Sequence, residues 1–390
     1  MQRVKPLQSL VGFFLSLSMS LLSCQAPPVA PISEPLSTSN VKLTKLTEGF
    51  DFSVKMTLLP DGSFLVTEKN TGFVRRVSPT FHLQHEPVID IAVNHASERG
   101  LLGIAAHPEF SRNGYVYIFY MASDSGRDTD NPKAASDIRV ARFQLDRDGV
   151  AQAPQTLITL PVRPGPFHNC GCILFGPDRK LYVSLGELNR HANIISQLKG
   201  NPRGKILRYN DDGSIPADNP LGADNPIYVY GLRNTFGFSF DPRGRGLFVS
   251  DNGPNGHDKL SLAMPGENLG WPLIWGVVDQ WYERLAARFL GRRYRHPIWE
   301  SFARRPAPTA VGVIPNDVYG LGMAGRILLG QYMEAGVRQF TLDAATMSLA
   351  TGYGFFLNDI AATVDMQFDA TGRLYILTIN ALYRVDLDTF

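Results

Sequence analysis

The chain has 390 residues, of which 44% are apolar and 19% are charged, so it can bury a substantial core and does not belong to the disordered class. Its 38 basic and 36 acidic residues give a formal net charge of +2, which provides no electrostatic reason to expect nucleic-acid binding. Three cysteines are too few for a disulfide-built scaffold, and the 36 glycines and 27 prolines favour turns and strands over long helices.

The first residues predict an export signal. Two basic residues precede an apolar run from Leu10 to Leu22, which is too short and too early for an ordinary spanning helix. The run ends in Leu-Leu-Ser-Cys, which resembles the lipobox of bacterial lipoproteins and makes Cys24 the expected site of lipid attachment. An ordinary cleaved signal, in which Cys24 is incidental, is the alternative. We therefore expect residues 1–23 to be a signal peptide and the protein to be lipid-anchored in the bacterial cell envelope, touching the membrane only through its lipid.

The segment behind this signal predicts a spacer and not a folded element. Residues 24–40 are rich in proline and serine, a composition that cannot pack a core and extends in water. The folded body is expected to begin near Val41 and to include residues 41–390 as one domain.

A motif of one turn and one strand recurs along this body, and such internal repeats indicate a repeat architecture. Each copy has a turn of Pro, Asp or Gly residues, followed by a strand of β-branched and aromatic residues. The copies lie at residues 59–67, 107–118, 175–184, 240–250 and 368–377, and residues 326–342 could supply a sixth.

Repeated strand pairs at wide spacing predict an all-β fold, a six-bladed β-propeller. A β-sandwich of unrelated hairpins is the alternative. The loops of a propeller meet at one end of a central channel, where a binding site is expected. The clearest helical stretch, residues 281–289, is expected to be an insertion and not part of a blade.

Four segments carry residues suited to chemistry, and together they resemble the glucose/sorbosone dehydrogenase family of soluble quinoprotein sugar dehydrogenases. The similarity runs from about Leu43 to the end of the chain. The segments are Glu-Arg-Gly-Leu-Leu-Gly at 98–103, Phe-His-Asn-Cys-Gly-Cys at 167–172, Gly-Leu-Arg-Asn-Thr-Phe-Gly at 231–237, and Asp-Asn-Gly-Pro-Asn-Gly-His-Asp at 251–258 with Gly-Glu-Asn-Leu-Gly-Trp-Pro at 266–272.

The resemblance implies oxidation of a hydroxyl group of an aldose-type sugar by pyrroloquinoline quinone (PQQ), with Ca²⁺ assisting and an envelope component accepting the electrons. An imidazole suits proton abstraction near neutral pH, and Ca²⁺ prefers hard oxygen ligands. A turn-capping His, a buried structural Arg and a plain Gly-Pro turn are the alternatives. The roles that the resemblance implies are His168 as general base, Glu98, Arg233 and Asn234 as cofactor-binding residues, and Gly253 and Pro254 as Ca²⁺ ligands through their carbonyls.

The sequence departs from the family where charge matters most. Phe167 stands where the family commonly has an acid that orients the base, which predicts a less fixed imidazole tautomer. Met333, Phe356 and Asn358 stand where the glucose-oxidising members have Lys and Arg that meet the three carboxylates of the cofactor. Burying carboxylates without cations is costly, so these positions put PQQ binding in question.

Two further features are particular to this chain. Arg284, Arg288 and Arg292 share one helix face, and we expect them to arch over the channel mouth and supply positive charge, with a solvated basic face as the alternative. Cys170 and Cys172 lie beside His168 and could form a small-ringed disulfide or remain packed thiols.

Two other functions stay open from the sequence. One is a binding module, a propeller that kept the scaffold and lost the quinone, which the departures above favour. The other is a calcium-dependent lactone hydrolase, which needs several inward carboxylates around the ion; Glu98, Asp251 and Asp258 are too few to favour it. In each case the expected ligand is a small molecule.

Overall fold

The computed structural model describes residues 41–146, 149–188, 194–343 and 349–388. The expected signal peptide, Cys24 and the tether lie outside these residues. The body forms six four-stranded antiparallel sheets, so the prediction of an all-β, six-bladed β-propeller is confirmed and the sandwich alternative is wrong.

The six blades follow one another along the chain, except that the sixth takes its outermost strand from the start of the body. The strands are β2 (Ser53–Leu58), β3 (Phe64–Glu68), β4 (Phe73–Val77) and β5 (Ile89–Asp90) in blade one; β6 (Leu101–Ala106), β7 (Tyr115–Ser123), β8 (Ala135–Gln144) and β9 (Gln155–Leu160) in blade two; β10 (Cys170–Phe175), β11 (Leu181–Leu185), β12 (Lys205–Tyr209) and β13 (Ile227–Tyr230) in blade three; β14 (Phe238–Phe240), β15 (Leu247–Asp251), β16 (Lys259–Ala263) and β17 (Trp299–Glu300) in blade four; β18 (Pro308–Val313), β19 (Ile327–Gln331), β20 (Val337–Leu342) and β21 (Leu349–Leu357) in blade five; and β22 (Thr363–Phe368), β23 (Leu374–Thr378), β24 (Ala381–Leu387) and β1 (Val41–Glu48) in blade six.

The recurring sequence motif is the hairpin between the first and second strands of a blade. In blade one, Asp61 Oδ1 accepts hydrogen bonds from the backbone N–H of Ser63 at 2.9 Å and from its hydroxyl at 2.6 Å, while Gly62 takes a φ of 84°. In blade six, Asp369 Oδ1 accepts from the N–H of Thr371 in the same way, at 2.9 Å. The repeated Asp and Gly therefore build the same tight turn, because an Asp side chain satisfies the turn's N–H groups and Gly tolerates positive φ.

The ring closes by pairing the two ends of the body. Strand β1 runs antiparallel to β24, with Val41 opposite Leu387 and Leu43 opposite Val385. Apolar side chains then fill the space between every two neighbouring blades, including blades six and one. Because every blade packs on two others, the loops at one end of the ring are held in fixed relative positions.

We call the end of the ring at which the first strands begin and the second strands end the upper face. It carries the segments that precede β6, β10 and β14 and those that follow β3, β11 and β15, and these include the segments at 98–103, 167–172, 231–237 and 251–258. The remaining segment, 266–272, follows β16 and reaches the site through Trp271, which contacts Glu187. Two α-helices interrupt the strands in the described ranges, α1 (Phe110–Asn113) and α2 (Trp281–Leu290), and α2 confirms the predicted helical insertion. Within those ranges no helix is long and apolar enough to cross a bilayer.

A cavity of about 230 Å³ lies in the channel and is lined by residues from the first strands of all six blades. Lys55 of β2 is buried beside it, and its ammonium lies 3.2 Å from Asp365 Oδ1 of β22. The same ammonium donates to the carbonyl oxygens of Thr309 at 3.0 Å and Val364 at 3.1 Å. This buried charge therefore joins blades one, five and six on the channel side.

Removal of one partner tests how much this contact stabilises the ring. Asp365→Ala leaves the Lys55 ammonium buried with carbonyl partners alone, so we expect the free energy of unfolding to fall by about 3–5 kcal/mol. Urea denaturation followed by tryptophan fluorescence measures the change. The double variant Lys55→Met/Asp365→Ala carries no buried charge and should recover part of the loss. A single-variant loss below about 1 kcal/mol, typical of an exposed pair, would contradict this role.

Candidate functional site

His168 lies on the upper face, immediately before β10, in a strained backbone conformation. Its φ is 56° and that of Cys170 is 61°, a left-handed region that non-glycine residues adopt at a cost. The backbone N–H of His168 donates to Glu98 Oε2 at 2.8 Å, and its carbonyl oxygen accepts from the N–H of Leu188 at 3.3 Å. A Cβ atom on Gly186 would lie 1.9 Å from that carbonyl oxygen. Neighbouring loops thus hold the histidine backbone in place on two sides.

A buried carboxylate fixes the ring of His168. Glu187 Oε1 lies 3.0 Å from His168 Nδ1, and Glu187 Oε2 accepts a hydrogen bond from Trp271 Nε1 at 2.7 Å. An ionised carboxylate only accepts hydrogen bonds, so in the neutral imidazole the proton must sit on Nδ1. The lone pair is then left on Nε2, which is the arrangement that a general base requires.

The expectation of a less fixed imidazole, drawn from Phe167, is therefore wrong. Phe167 is exposed, and the orienting acid is Glu187, 19 residues beyond the histidine. The sequence did carry a signal for it. His168 lies two residues before the first strand of blade three and Glu187 two residues after the second strand, so the hairpin places both residues at the upper face.

Glu98 and Asn234 contact each other beside the histidine. Asn234 Nδ2 donates to Glu98 Oε2 at 3.2 Å, and Cys170 Sγ lies 3.5 Å from Asn234 Oδ1. The N–H of Thr235 donates to Cys170 Sγ at 2.8 Å.

Cys170 and Cys172 are buried free thiols, and burial raises the pKa of both. Of the two sequence alternatives, the structure therefore has packed thiols and no disulfide between them.

Arg233 connects the histidine network to the loop that follows β15. Its Nη1 donates to the carbonyl oxygens of Asn252 at 2.8 Å and Gly253 at 3.1 Å, and its guanidinium carbon lies 5.5 Å from the centre of the Trp271 ring. The buried carboxylate of Asp251 accepts the backbone N–H of Arg233 at 3.0 Å. The six upper-face residues predicted from the sequence thus lie in one continuous region. They are linked through Glu187, which the prediction lacked, and through Trp271, which the 266–272 segment contains but to which the prediction gave no role.

The loop at residues 252–257 presents oxygen atoms in a tight curve. A Cβ atom on Gly253 would lie 2.3 Å from the Gly256 carbonyl oxygen and 2.4 Å from that of His257. The side-chain oxygen of Asn252 is buried and has no hydrogen-bond partner among the described residues. The same part of the chain holds no cluster of three or more His, Cys, Asp or Glu side chains suited to a metal. The oxygens here, with Pro254 beside them, are the neutral hard donors that Ca²⁺ accepts.

Lys69 is a cation of this site that the sequence reasoning missed. It directly follows β3 and is nearly buried, with its ammonium 2.9 Å from Asn70 Oδ1 and 5.4 Å from the centre of the Phe52 ring. Burial lowers the pKa of Lys69 to about 8, although the negative charge of Glu98 acts in the opposite direction. A desolvated ammonium of this kind gains stability from any anion that binds beside it.

The positions that stand in place of the family's cations lie elsewhere. Met333 is 67% exposed and Asn358 is also exposed. Phe356 is buried in the core between blades five and six, 5.3 Å from the Tyr319 ring. None of these three side chains therefore brings a positive charge to the upper face.

The expectation that Arg284, Arg288 and Arg292 share one helix face is wrong for Arg292. Helix α2 ends at Leu290, and Arg292 lies in a separate 3₁₀ turn, Gly291–Arg293, that begins at Gly291 with a φ of 62°. Arg284, Arg288 and Arg292 are exposed, and Arg284 donates to the carbonyl oxygen of Asp279 at 3.1 Å. Among the described residues, no hydrogen bond or ion pair joins these guanidinium groups to the histidine cluster. That they arch over the channel mouth stays a prediction.

Comparisons with known proteins agree with this geometry. Residues 50–383 match the family model for glucose/sorbosone dehydrogenases. The chain is 33% identical over 276 residues to quinoprotein glucose dehydrogenase B of Acinetobacter calcoaceticus, covering 63% of this chain and 57% of that protein. It is 31% identical over 185 residues to aldose sugar dehydrogenase YliI of Escherichia coli, covering 46% of this chain and 47% of that protein.

Each of these two alignments therefore spans only about half of the relative's length. Among solved structures, the PQQ-bound aldose sugar dehydrogenase from Streptomyces coelicolor has a TM-score of 0.71 and 24% identity, covering 90% of this chain and 99% of that one. This last likeness shows a shared fold.

Proposed function

The chain belongs to the glucose/sorbosone dehydrogenase family, and we propose that it oxidises a hydroxyl group of an aldose-type sugar with PQQ and Ca²⁺ as its cofactors. The observation that carries this proposal is the contact between His168 Nδ1 and Glu187 at 3.0 Å. It leaves Nε2 as the basic atom of a part-buried, oriented imidazole on the upper face.

His168 acts as the general base. Its Nε2 takes the proton of the sugar hydroxyl while the carbon that carries this hydroxyl loses a hydride, so the alcohol carbon is oxidised by two electrons. When bound, PQQ supplies the acceptor for that hydride. The imidazolium that forms is stabilised by the carboxylate of Glu187 at Nδ1, and Trp271 Nε1 keeps the carboxylate in position.

The residues present fit the two cofactors. The buried side-chain oxygen of Asn252, which has no hydrogen-bond partner among the described residues, and the carbonyl oxygens of Gly253 and Pro254 would be the ligands of a hard cation. The Gly253 carbonyl accepts from Arg233 Nη1 at 3.1 Å, so it would meet the ion through its second lone pair. Lys69 and Arg233 are the two cations that would meet carboxylates of the quinone. Glu98 and Asn234, which hold each other and the His168 backbone, would form the adjoining wall.

A binding module without redox chemistry is the second candidate. The observation that favours it is the position of Phe356, which is buried in the core where glucose-oxidising members carry a cation for the cofactor. A lactone hydrolase has less support, because the described residues include no carboxylate cluster suited to a metal.

Reconstitution separates these functions. The purified protein is loaded with PQQ and Ca²⁺, and dye reduction is measured with a panel of aldoses. We expect aldose-dependent dye reduction that requires both additions. Absence of PQQ uptake would contradict the proposal in favour of a binding module, and lactone turnover without quinone would contradict it in favour of the hydrolase. The sugar used best and the physiological electron acceptor are read from the same assay with other substrates and acceptors.

Glu187→Gln tests the orienting carboxylate. A glutamine offers one acceptor oxygen, but two donors, His168 Nδ1–H and Trp271 Nε1–H, converge on this side chain. If the glutamine turns an N–H toward His168, the imidazole must change tautomer so that its proton lies on Nε2. Nε2 then has no lone pair with which to accept the proton of the substrate. We expect kcat to fall by about 10²–10⁴-fold while PQQ uptake stays near the wild-type level.

The matched control removes the competing donor. Trp271→Phe keeps an aromatic ring against Arg233 but has no N–H, so in Glu187→Gln/Trp271→Phe the glutamine oxygen is free to accept from His168 Nδ1. Activity of this double variant should exceed that of Glu187→Gln alone. Equal kcat values in wild type and Glu187→Gln would show that the carboxylate does not orient a base.

Lys69 predicts a pH dependence of cofactor binding. A bound carboxylate favours the charged ammonium and raises its pKa above the free-protein value of about 8. Below that pH Lys69 is already protonated, so affinity is at its full value; above it the free protein must take up a proton, and affinity falls by up to about tenfold per pH unit.

Equilibrium binding of PQQ, followed by quenching of protein fluorescence from about one pH unit below to about one and a half units above the expected onset near pH 8, measures this effect. The Lys69→Met variant should bind PQQ more weakly than wild type at pH 7, and its affinity should not fall as the pH rises. The exposed Lys133→Met is the control and should behave as wild type. A decline that persists unchanged in Lys69→Met would contradict this assignment.

Lipid attachment at Cys24 and a position in the bacterial envelope also remain proposals. Mass spectrometry of the chain isolated from bacterial membranes would detect the acyl groups on Cys24.

A further inference from the structure

Helix α2 presents four large apolar side chains to solvent. Trp281 is 71% exposed, Tyr282 53%, Leu285 54% and Phe289 84%. Three of them, Trp281, Leu285 and Phe289, are spaced at i, i+4 and i+8 and so follow one another along a single face. A contiguous apolar face of this kind on a folded surface marks a place where another surface binds.

The opposite face fixes α2 to the body. Glu283 is buried, and its two carboxylate oxygens accept the backbone N–H groups of Trp275 at 3.1 Å, Asp279 at 3.3 Å and Gln280 at 3.4 Å. The acid of the helix is thereby turned inward and used as an N-terminal cap. The helix cannot roll to bury its apolar face without breaking this cap, so the exposure of that face is built into the fold.

Positive charge borders the apolar face. Arg284 and Arg288 are exposed at i and i+4 on α2, and Arg292 and Arg293 are exposed in the 3₁₀ turn Gly291–Arg293 that follows the helix. The outward face of α2 itself contains no acid, because Glu283 is its one acidic residue. An aromatic and aliphatic row with arginines beside it is the composition of helices that lie in the headgroup region of a bilayer, where Trp and Tyr prefer the interface and Arg reaches the phosphates.

We propose that the outward face of α2 docks on a bilayer that contains anionic phospholipids. The apolar row enters the headgroup region and the arginines pair with lipid phosphates. A protein partner or a second copy would be expected to meet such a face with acids around an apolar patch. Helix α2 carries positive charge and has no acid on its outward face. This favours an anionic lipid surface over a protein partner, because lipid headgroups supply a continuous negative surface.

The proposal is independent of the redox function and changes the expected mode of membrane contact. The sequence predicts attachment through Cys24 alone, and residues 25–40 would span at most about 55 Å at ~3.3–3.6 Å per residue. A chain held at that distance has no preferred orientation. Docking through α2 would add a second contact and present one side of the propeller to the lipid.

Vesicle sedimentation tests this surface directly. The chain from residue 24 onward, with Cys24→Ser so that it carries no lipid, is mixed with vesicles of phosphatidylcholine alone or of phosphatidylcholine with phosphatidylglycerol. We expect binding to the anionic vesicles that weakens with added salt. Leu285→Ser/Phe289→Ser should lower the partition coefficient by about tenfold or more, and each Arg→Gln change at 284, 288 and 292 by about fivefold.

Two controls keep the result specific to α2. Leu321 is 96% exposed on another loop and Arg127 is an exposed arginine outside the helix, so Leu321→Ser and Arg127→Gln should bind as wild type. Circular dichroism checks that all variants are folded. The proposal is overturned if wild type binds anionic vesicles no better than neutral ones, or if the α2 variants bind as wild type. It is also overturned if Leu285→Ser/Phe289→Ser abolishes a dimer seen by light scattering and leaves vesicle binding unchanged.

Discussion

The site depends on one buried carboxylate that receives two hydrogen bonds from different parts of the ring. Glu187 lies between His168 Nδ1 and Trp271 Nε1 at 3.0 and 2.7 Å. Because both neighbours are donors, only a group that accepts on both of its oxygens satisfies them. The carboxylate therefore sets the tautomer of the histidine and anchors the tryptophan over which Arg233 lies. Through these contacts the base, the arginine and the oxygen-rich loop after β15 keep their relative positions.

The packing of the closed ring stabilises the strained backbone around His168. His168 and Cys170 hold positive φ values that cost free energy in an isolated loop. Here the loop is held by Glu98 from blade two and by the chain after β11 in blade three, and both blades share a hydrophobic core. The pairing of β1 with β24 closes the ring and keeps the blades packed together, so the strained segment that carries His168 keeps its conformation.

The fold could be predicted from the sequence because its cause is local and repeated. Asp61 and Asp369 each complete the same turn, and that turn sets the start of each second strand. Glu98 and His168 were both singled out from the sequence, but the hydrogen bond between the Glu98 carboxylate and the His168 backbone was not predicted. Glu187 was missed although it lies at the end of the same hairpin as His168, because attention went to the residue next to the histidine in the sequence and not to the far end of the hairpin. Lys69 was missed because it follows a strand of blade one and meets the site only where loops from different blades come together, which linear spacing does not show. Phe356 was assigned to the site because its position in the sequence corresponds to a cation of the family. Its side chain instead packs in the core between blades five and six, and the sequence does not show in which direction a side chain of a strand points.

The central claim is that Glu187 holds His168 with its proton on Nδ1 and leaves Nε2 as the basic atom. The most direct measurement is the pattern of long-range ¹H–¹⁵N couplings of the imidazole in protein labelled with ¹⁵N-histidine, assigned by comparison with His168→Gln. The account predicts that the neutral ring of His168 is protonated at Nδ1 in the wild type and shifts toward Nε2 protonation in Glu187→Gln. A wild-type ring protonated at Nε2 would contradict the account, because such a ring cannot accept the proton of a sugar hydroxyl from the site.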